Sequence, residues 1–175
     1  MPIDMKAVIL AAGQGSRLRP AKPGVPKCLL EVGGKTLIEH QLAVIDAQGI
    51  RDVVAVVGYK NELIKRHLGD RVRYRICDTW DSSNNFQTLW DVRDELRGGF
   101  VCFFADVYCD AGPIEEALLS PYDICAVVDT SQVLAGTMRV RIVNGRLVGI
   151  GGHIPVRDGS GNFIGIAKFS TDGAR

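Results

Sequence analysis

Residues 10–40 read "LAAGQGSRLRPAKPGVPKCLLEVGGKTLIEH", Leu10 to His40, and the fold turns on the residues that come after the two glycines. Gly13-Gln14-Gly15 comes directly after the apolar run Lys6 to Ala12, which reads as a buried strand. A dinucleotide-binding turn would carry a third glycine and run straight into a helix whose N-terminus meets the pyrophosphate. Here Pro20, Pro23 and Pro26 forbid a regular helix after the turn, so the segment reads as an extended loop. Its glycines let backbone N–H groups approach oxygens closely. Arg17 offers a planar fork suited to phosphate, and Lys27 adds a point charge. Such a loop suits a polyanion whose bonds are being broken. The alternative is a glycine-rich turn with two solvated cations.

Downstream, Thr36-Leu37-Ile38-Glu39 is a capping-box pattern that starts a helix to about Gln48, ended by Gly49. Asp52 to Val57 is a β-branched run, read as a second buried strand ending at Gly58. Asn61 opens a short helix to Leu68, and Val72 to Ile76 is a third strand, followed by the polar loop Asp78 to Ser83. Arg71, Arg73 and Arg75 alternate along that strand and read as a solvated face rather than a binding patch. Phe86, Leu89, Trp90, Val92 and Leu96 suggest a helix over Asn85 to Leu96, with Trp90 in the core. Phe100 to Ala105 is a central buried strand, and Pro113 suits the first turn of the next helix. Ile124 to Val128 is another strand, Val140 to Val148 a type I′ hairpin around Asn144-Gly145, and Phe163 to Phe169 a last strand. Strands alternating with helices predict an α/β fold, a Rossmann-like three-layer sandwich whose central sheet is mainly parallel with a mixed edge. Ligands then belong at the carboxyl ends of strands, where Gly13, Gly58 and Asp106 lie.

Composition sets the outer bounds. A chain of 175 residues suits one domain with a substantial core, and 46% hydrophobic with 23% charged residues is ordinary globular composition. The net charge of +1 gives no basic field that would point to nucleic acid. The five cysteines are scattered with no C-x-x-C pair, and four lie in apolar runs, as reduced, buried thiols do. That pattern suits a reducing cytoplasm. Met1 to Lys6 has no signal-peptide run and no apolar stretch approaches about 18 residues, so a soluble, intracellular protein with no membrane partner is expected.

The ordered series Gly13-x-Gly15-x-Arg17-Leu18-x-Pro20, Pro26-Lys27-x-Leu29, Val32-Gly33-Gly34-Lys35 and Leu37-Ile38-Glu39 resembles the signature of the NTP-dependent nucleotidyltransferases. That family includes sugar-1-phosphate nucleotidyltransferases and bacterial phosphocholine cytidylyltransferases. Asn84-Asn85-Phe86-x-Thr88-Leu89, Phe103 to Tyr108 and Phe163 to Ser170 resemble stretches of the cytidylyltransferase branch. Departures are Lys22 where many members have threonine, Asn162 where a glutamate is expected, and His153 near an expected lysine. The resemblance further implies a single nucleotidyltransferase domain over residues 1–175 that lacks the C-terminal elements usual in the family, including a second aspartate for metal. Asp172 is too close to Ser170 to take that role.

The resemblance implies attack by a phosphomonoester oxygen on the α-phosphate of an NTP, CTP for the cytidylyltransferase branch, with Mg²⁺ as cofactor. Arg17, Lys27 and Asp106 are the catalytic candidates: Arg17 for the β- and γ-phosphates, Lys27 near the α-phosphate, Asp106 for the metal. A helix N-cap or turn aspartate is the alternative for Asp106. Leu10, Ala11, Ala12, Gly13, Gly15, Ser16, Arg17, Tyr59, Asn84, Asn85 and Thr88 are candidates for the nucleotide. Helix capping serves equally for Asn84 or Asn85, and plain packing for Tyr59. Trp80 and Tyr108 are candidates for the acceptor, because a quaternary ammonium such as that of phosphocholine needs aromatic faces. His40, His67 and His153 are isolated and carry no assigned chemistry. Two rivals stand beside this: a hexose-1-phosphate nucleotidyltransferase using UTP, dTTP or GTP, and a truncated, non-catalytic nucleotide-binding module.

Overall fold

The computed structural model describes residues 5–15 and 24–175. Its backbone forms an eight-stranded sheet, a two-stranded ribbon and four α-helices. In chain order these are β1 (Lys6–Ala11), the ribbon β2 (Glu31–Val32) and β3 (Lys35–Thr36), α1 (Leu37–Ala47), β4 (Val53–Val57), α2 (Asn61–Leu68), β5 (Arg73–Ile76), α3 (Asn85–Asp91), β6 (Phe100–Phe104), α4 (Gly112–Leu119), β7 (Ile124–Asp129), β8 (Arg139–Val143), β9 (Arg146–Gly151) and β10 (Gly161–Phe169). The sheet order is β5-β4-β1-β6-β10-β8-β9, with β7 also paired to β10. The first four strands are parallel to one another. β10 runs antiparallel to β6, β7 and β8, so only β10 and β9 are reversed in the sheet. The mainly parallel sheet and the mixed edge are both present.

Strands β1, β4 and β6 are apolar at almost every position because both their faces are covered. On one face Ile9, Ala55 and Phe103 meet Ile38, Ile45, Ile64 and Ile114 from α1, α2 and α4. On the other, Val8, Leu10, Val56 and Cys102 meet Leu89 of α3 and Val92 and Leu96 just after it. This is the three-layer arrangement. The capping box of α1 is complete: the Glu39 amide donates to Thr36 Oγ1, and Glu39 Oε2 accepts from the Thr36 amide at 2.9 Å. The hairpin between β8 and β9 has φ of 51° at Asn144 and 73° at Gly145, the positive pair a type I′ turn requires.

Some expectations are corrected. The helix read over Asn85 to Leu96 is α3 to Asp91 only, followed by a 3₁₀ turn over Arg93–Leu96. Val92, at φ −109° and ψ 20°, leaves helical geometry, and the tighter turn keeps both Val92 and Leu96 inward. Trp90 is not core: it is 54% exposed, with the Arg93 guanidinium 5.0 Å from its ring. A helix of seven residues buries one narrow stripe, and Phe86 and Trp90 share the opposite face at i,i+4 spacing. Arg71 sits in a 3₁₀ turn before β5, 3.8 Å from Glu39, whereas Arg73 and Arg75 form the expected solvated face by pairing with Asp52, Glu95 and Asp94. The cysteines are all unbridged; Cys28, Cys77 and Cys102 are buried, but Cys109 and Cys125 are only half-buried.

Candidate active site

The carboxyl ends of β1, β4 and β6 carry the candidate residues, because parallel strands end on the same edge of the sheet. Asp106 comes two residues after β6, where the Ala105 amide still donates to Leu10 O at 3.2 Å and ties this end to β1. Lys27 enters from the other side. Pro26, with φ −56° and ψ 140°, starts the 3₁₀ turn Lys27–Leu29, and the Leu37 amide donates to Leu30 O, so the turn is fastened to α1. Cys28 plugs the turn into the core, where burial pushes its thiol up to about 12 and keeps it protonated. From these two mounts Lys27 Nζ donates to Asp106 Oδ2 at 2.9 Å, with the side chains 23% and 41% exposed. Two residues 79 positions apart in the chain are thus brought to one point.

The glycines fit the same edge. Gly15 has φ +70°, and a Cβ there would collide with the Lys27 side chain. A Cβ on Gly58, at the end of β4, would lie 2.8 Å from Trp80 Cγ and 2.9 Å from Ala12 O. That close approach lets the Tyr59 amide donate to Ala12 O at 2.8 Å. The Tyr59 and Trp80 rings meet at 5.2 Å between centroids, tilted by 58°. Leu10, Ala11 and Ala12 are buried, while Gly13 is exposed with open space around its Cα.

Asn84 caps α3 by accepting from the Gln87 amide at 3.0 Å, so its capping role is realised, and Asn85 is exposed in the first turn. Thr88 is turned inward, 4% exposed, with its hydroxyl 3.3 Å from Ser83 Oγ and 3.9 Å from Cys77 Sγ. Tyr108 is 56% exposed and meets His40 edge-on at 4.9 Å. Of the departures, Asn162 has a structural role: it is buried, accepts from the Leu134 amide and the Thr137 hydroxyl, and donates to Gln132 O, whereas His153 is exposed. Ser16, Arg17 and Lys22 lie outside the described residues.

One cation at this edge had no place in the sequence reading. Lys60, left-handed at φ 48°, sends its Nζ to Gly24 O at 2.7 Å and lies 5.6 Å from the Tyr59 ring. Its signal was a lysine directly after the Gly58-Tyr59 strand end. Among the described residues no group of three His, Cys, Asp or Glu side chains could hold a metal, and no helix is long and apolar enough to cross a membrane. A cleft of about 500 Å³ lined by Lys35, Leu42, Ile45, Asp46 and Arg71 contains neither Lys27 nor Asp106.

Known proteins resemble this chain in sequence and fold. The chain is 41% identical over 100 residues to the choline-phosphate cytidylyltransferase of Streptococcus pneumoniae, covering 55% of this chain and 43% of that protein. It is 26% identical over 185 residues to the CTP:phosphoglutamine cytidylyltransferase of Campylobacter jejuni, covering 95% and 73%. The solved structure of CTP:phosphocholine cytidylyltransferase from Streptococcus pneumoniae superposes with a TM-score of 0.75 at 28% identity, covering 98% of this chain and 73% of that one. The chain thus spans less than half of the first of these relatives and about three quarters of the other two. The MobA-like NTP transferase domain matches residues 7–111, which include β1 from Ala7 onward, the Lys27 turn, α1 and Asp106. The chain therefore belongs to the MobA-like NTP transferase domain family.

Proposed function

We propose that the chain is a nucleotidyltransferase that moves CMP from CTP to a phosphomonoester such as phosphocholine, giving a CDP-alcohol and pyrophosphate. The observation that carries this reading is the Lys27–Asp106 pair at the carboxyl edge of the parallel strands. Similarity to the two cytidylyltransferases supports the choice of CTP.

In this reaction an acceptor phosphate oxygen attacks the α-phosphorus. The bond from that phosphorus to the bridging oxygen breaks, and pyrophosphate leaves with the electron pair. Two anions must meet, so the protein's task is orientation and charge compensation, with no covalent nucleophile required. Lys27 supplies a cation beside the reacting phosphates. Its pair with Asp106 is part-exposed and worth about 0–1 kcal/mol, so phosphate oxygens can take the ammonium from Asp106 at small cost. The main chain at Gly13 is open to a phosphate, with nothing within 4 Å of where a Cβ would stand, and the absent Cβ of Gly15 makes room for the Lys27 side chain. Arg17 adds the planar cation of the same loop.

Mg²⁺ suits Asp106: a single part-exposed carboxylate at a phosphate site fits a hard cation that is usually held by one or two carboxylates plus substrate oxygens. When bound it neutralises phosphate charge and aligns the leaving group. Asn84, Asn85, Thr88 and Tyr59 border the nucleotide. Of these, Thr88 acts by holding the Ser83 loop. Trp80 and Tyr108 offer aromatic faces to the acceptor's ammonium.

Pyrophosphate release across a panel of NTPs and acceptors tests this. Turnover with CTP and a phospho-alcohol is the expected result. Turnover with a hexose phosphate alone sinks the phosphocholine reading, and tight CTP binding without product for any acceptor favours a binding module.

A further inference from the structure

We infer that Gln41 is a positioning residue whose amide, from the middle of α1, clamps both ends of the turn that presents Asp106. The inference rests on the reading of Lys27 and Asp106 as groups that act in nucleotidyl transfer. Gln41 is 4% exposed, a polar side chain on the helix face that packs into an apolar core. Its Nε2 donates to Phe104 O and to Val107 O, each at 2.8 Å. Those carbonyls bracket Asp106: Phe104 is the last residue of β6, and Val107 follows Asp106 directly. The Val107 amide also donates to Phe104 O at 3.2 Å, so the backbone closes a turn whose tip is Ala105-Asp106.

The amide's orientation follows from chemistry. Two carbonyl oxygens demand two hydrogens, and only the NH₂ end has them. The other end, Oε1, is then buried with no hydrogen-bond partner among the described residues. An orphaned buried acceptor is destabilising, and a leucine here would bury no such oxygen. The gain that offsets it is the double clamp. The same helix also holds the opposite half of the pair, since Leu37 at its start is bonded to Leu30 in the turn that follows Lys27. α1 is therefore a bracket that references Lys27 and Asp106 to one rigid element.

The test compares wild type with Gln41→Leu, which keeps the bulk and removes both donors. Amide hydrogen exchange at Ala105 and Val107, whose amides are bonded to Leu10 O and Phe104 O, should accelerate at least tenfold while amides of α2 keep their protection. In turnover with CTP and Mg²⁺, kcat should fall at least tenfold with KM for CTP within threefold. Unchanged exchange at the turn overturns the inference, and so does accelerated exchange with kcat within twofold of wild type. Gln41→Met, unbranched and of similar length, carries the same expectations if the leucine variant fails to fold. Failure of both to fold assigns Gln41 to stability alone and also overturns it. A wild type that turns over no NTP and acceptor sinks the activity reading instead, and the exchange comparison still decides the clamp.

Discussion

The two halves of the sheet solve burial differently. In the parallel half, β1, β4 and β6 are covered on both faces, and Val8, Ile9, Val54, Ala55, Val101 and Phe103 are fully buried. In the antiparallel half, β9 leaves Leu147, Val148 and Ile150 at 38–50% exposure, and β7 has no fully buried residue. That half holds itself with polar anchors. Arg139, buried, donates to the carbonyls of Ile154, Leu134 and Gly152, and buried Lys168 donates to Ser120 O and Tyr122 O. The lesson is that the candidate site stands on the half stabilised by packing on both faces of the sheet. The half tied by side-chain-to-carbonyl bonds carries no candidate residue.

This contrast can be broken, and Phe103 is the sharpest tool. Phe103→Ala should cost about 3–5 kcal/mol in chemical denaturation, whereas Val148→Ala should stay within about 0.5 kcal/mol. Equal costs at the two positions would abolish the distinction between the halves.

Lys27→Ala should lower turnover by about 100-fold or more, the effect of losing one preorganised charge at a reacting phosphate. Its melting temperature should barely move, since the side chain is part-exposed and its ion pair weak. Full activity in that variant would remove Lys27 from the chemistry.

Arg139→Met should destabilise by about 1–3 kcal/mol by stranding buried carbonyls, with kcat within twofold of wild type. A large loss of turnover at unchanged stability would mean that the antiparallel half reaches the site after all.

Thr36→Ala should cost about 1 kcal/mol by uncapping α1. The Thr36 amide, then its hydroxyl, holds the Glu39 carboxyl at about 2, below its ordinary 4.5. A depressed folded-state value gives stability that is complete above about pH 4.5 and lost as pH falls towards about 2. Glu39→Gln should flatten the acid limb of the stability curve across that window, and a limb of unchanged slope would show that the carboxylate contributes nothing there.

Much of the fold was legible because its signals are local. The capping box at Thr36, the β-branched run of β4 and the Asn144-Gly145 turn each follow from a few neighbouring residues and their backbone preferences. Failures came where one periodic pattern permits two outcomes. The spacing of Phe86, Leu89, Trp90, Val92 and Leu96 suits a long amphipathic helix, and only the packing against β1 decided that Leu89, Val92 and Leu96 go in while Phe86 and Trp90 stay out.

By itself the sequence determined the α/β class, the capping box that starts α1 and the Asn144-Gly145 hairpin turn. Tertiary structure alone decided that Lys27 meets Asp106, that Gly58 admits Trp80, and that β10 inserts between β6 and β8. It also turned Gln41, one polar residue in a helix, into a donor to both sides of the Asp106 turn. The reason is physical: caps, turns and strand runs are encoded by neighbours a few residues apart. A contact across 63 to 79 positions exists only once the shared core has brought its strand ends together.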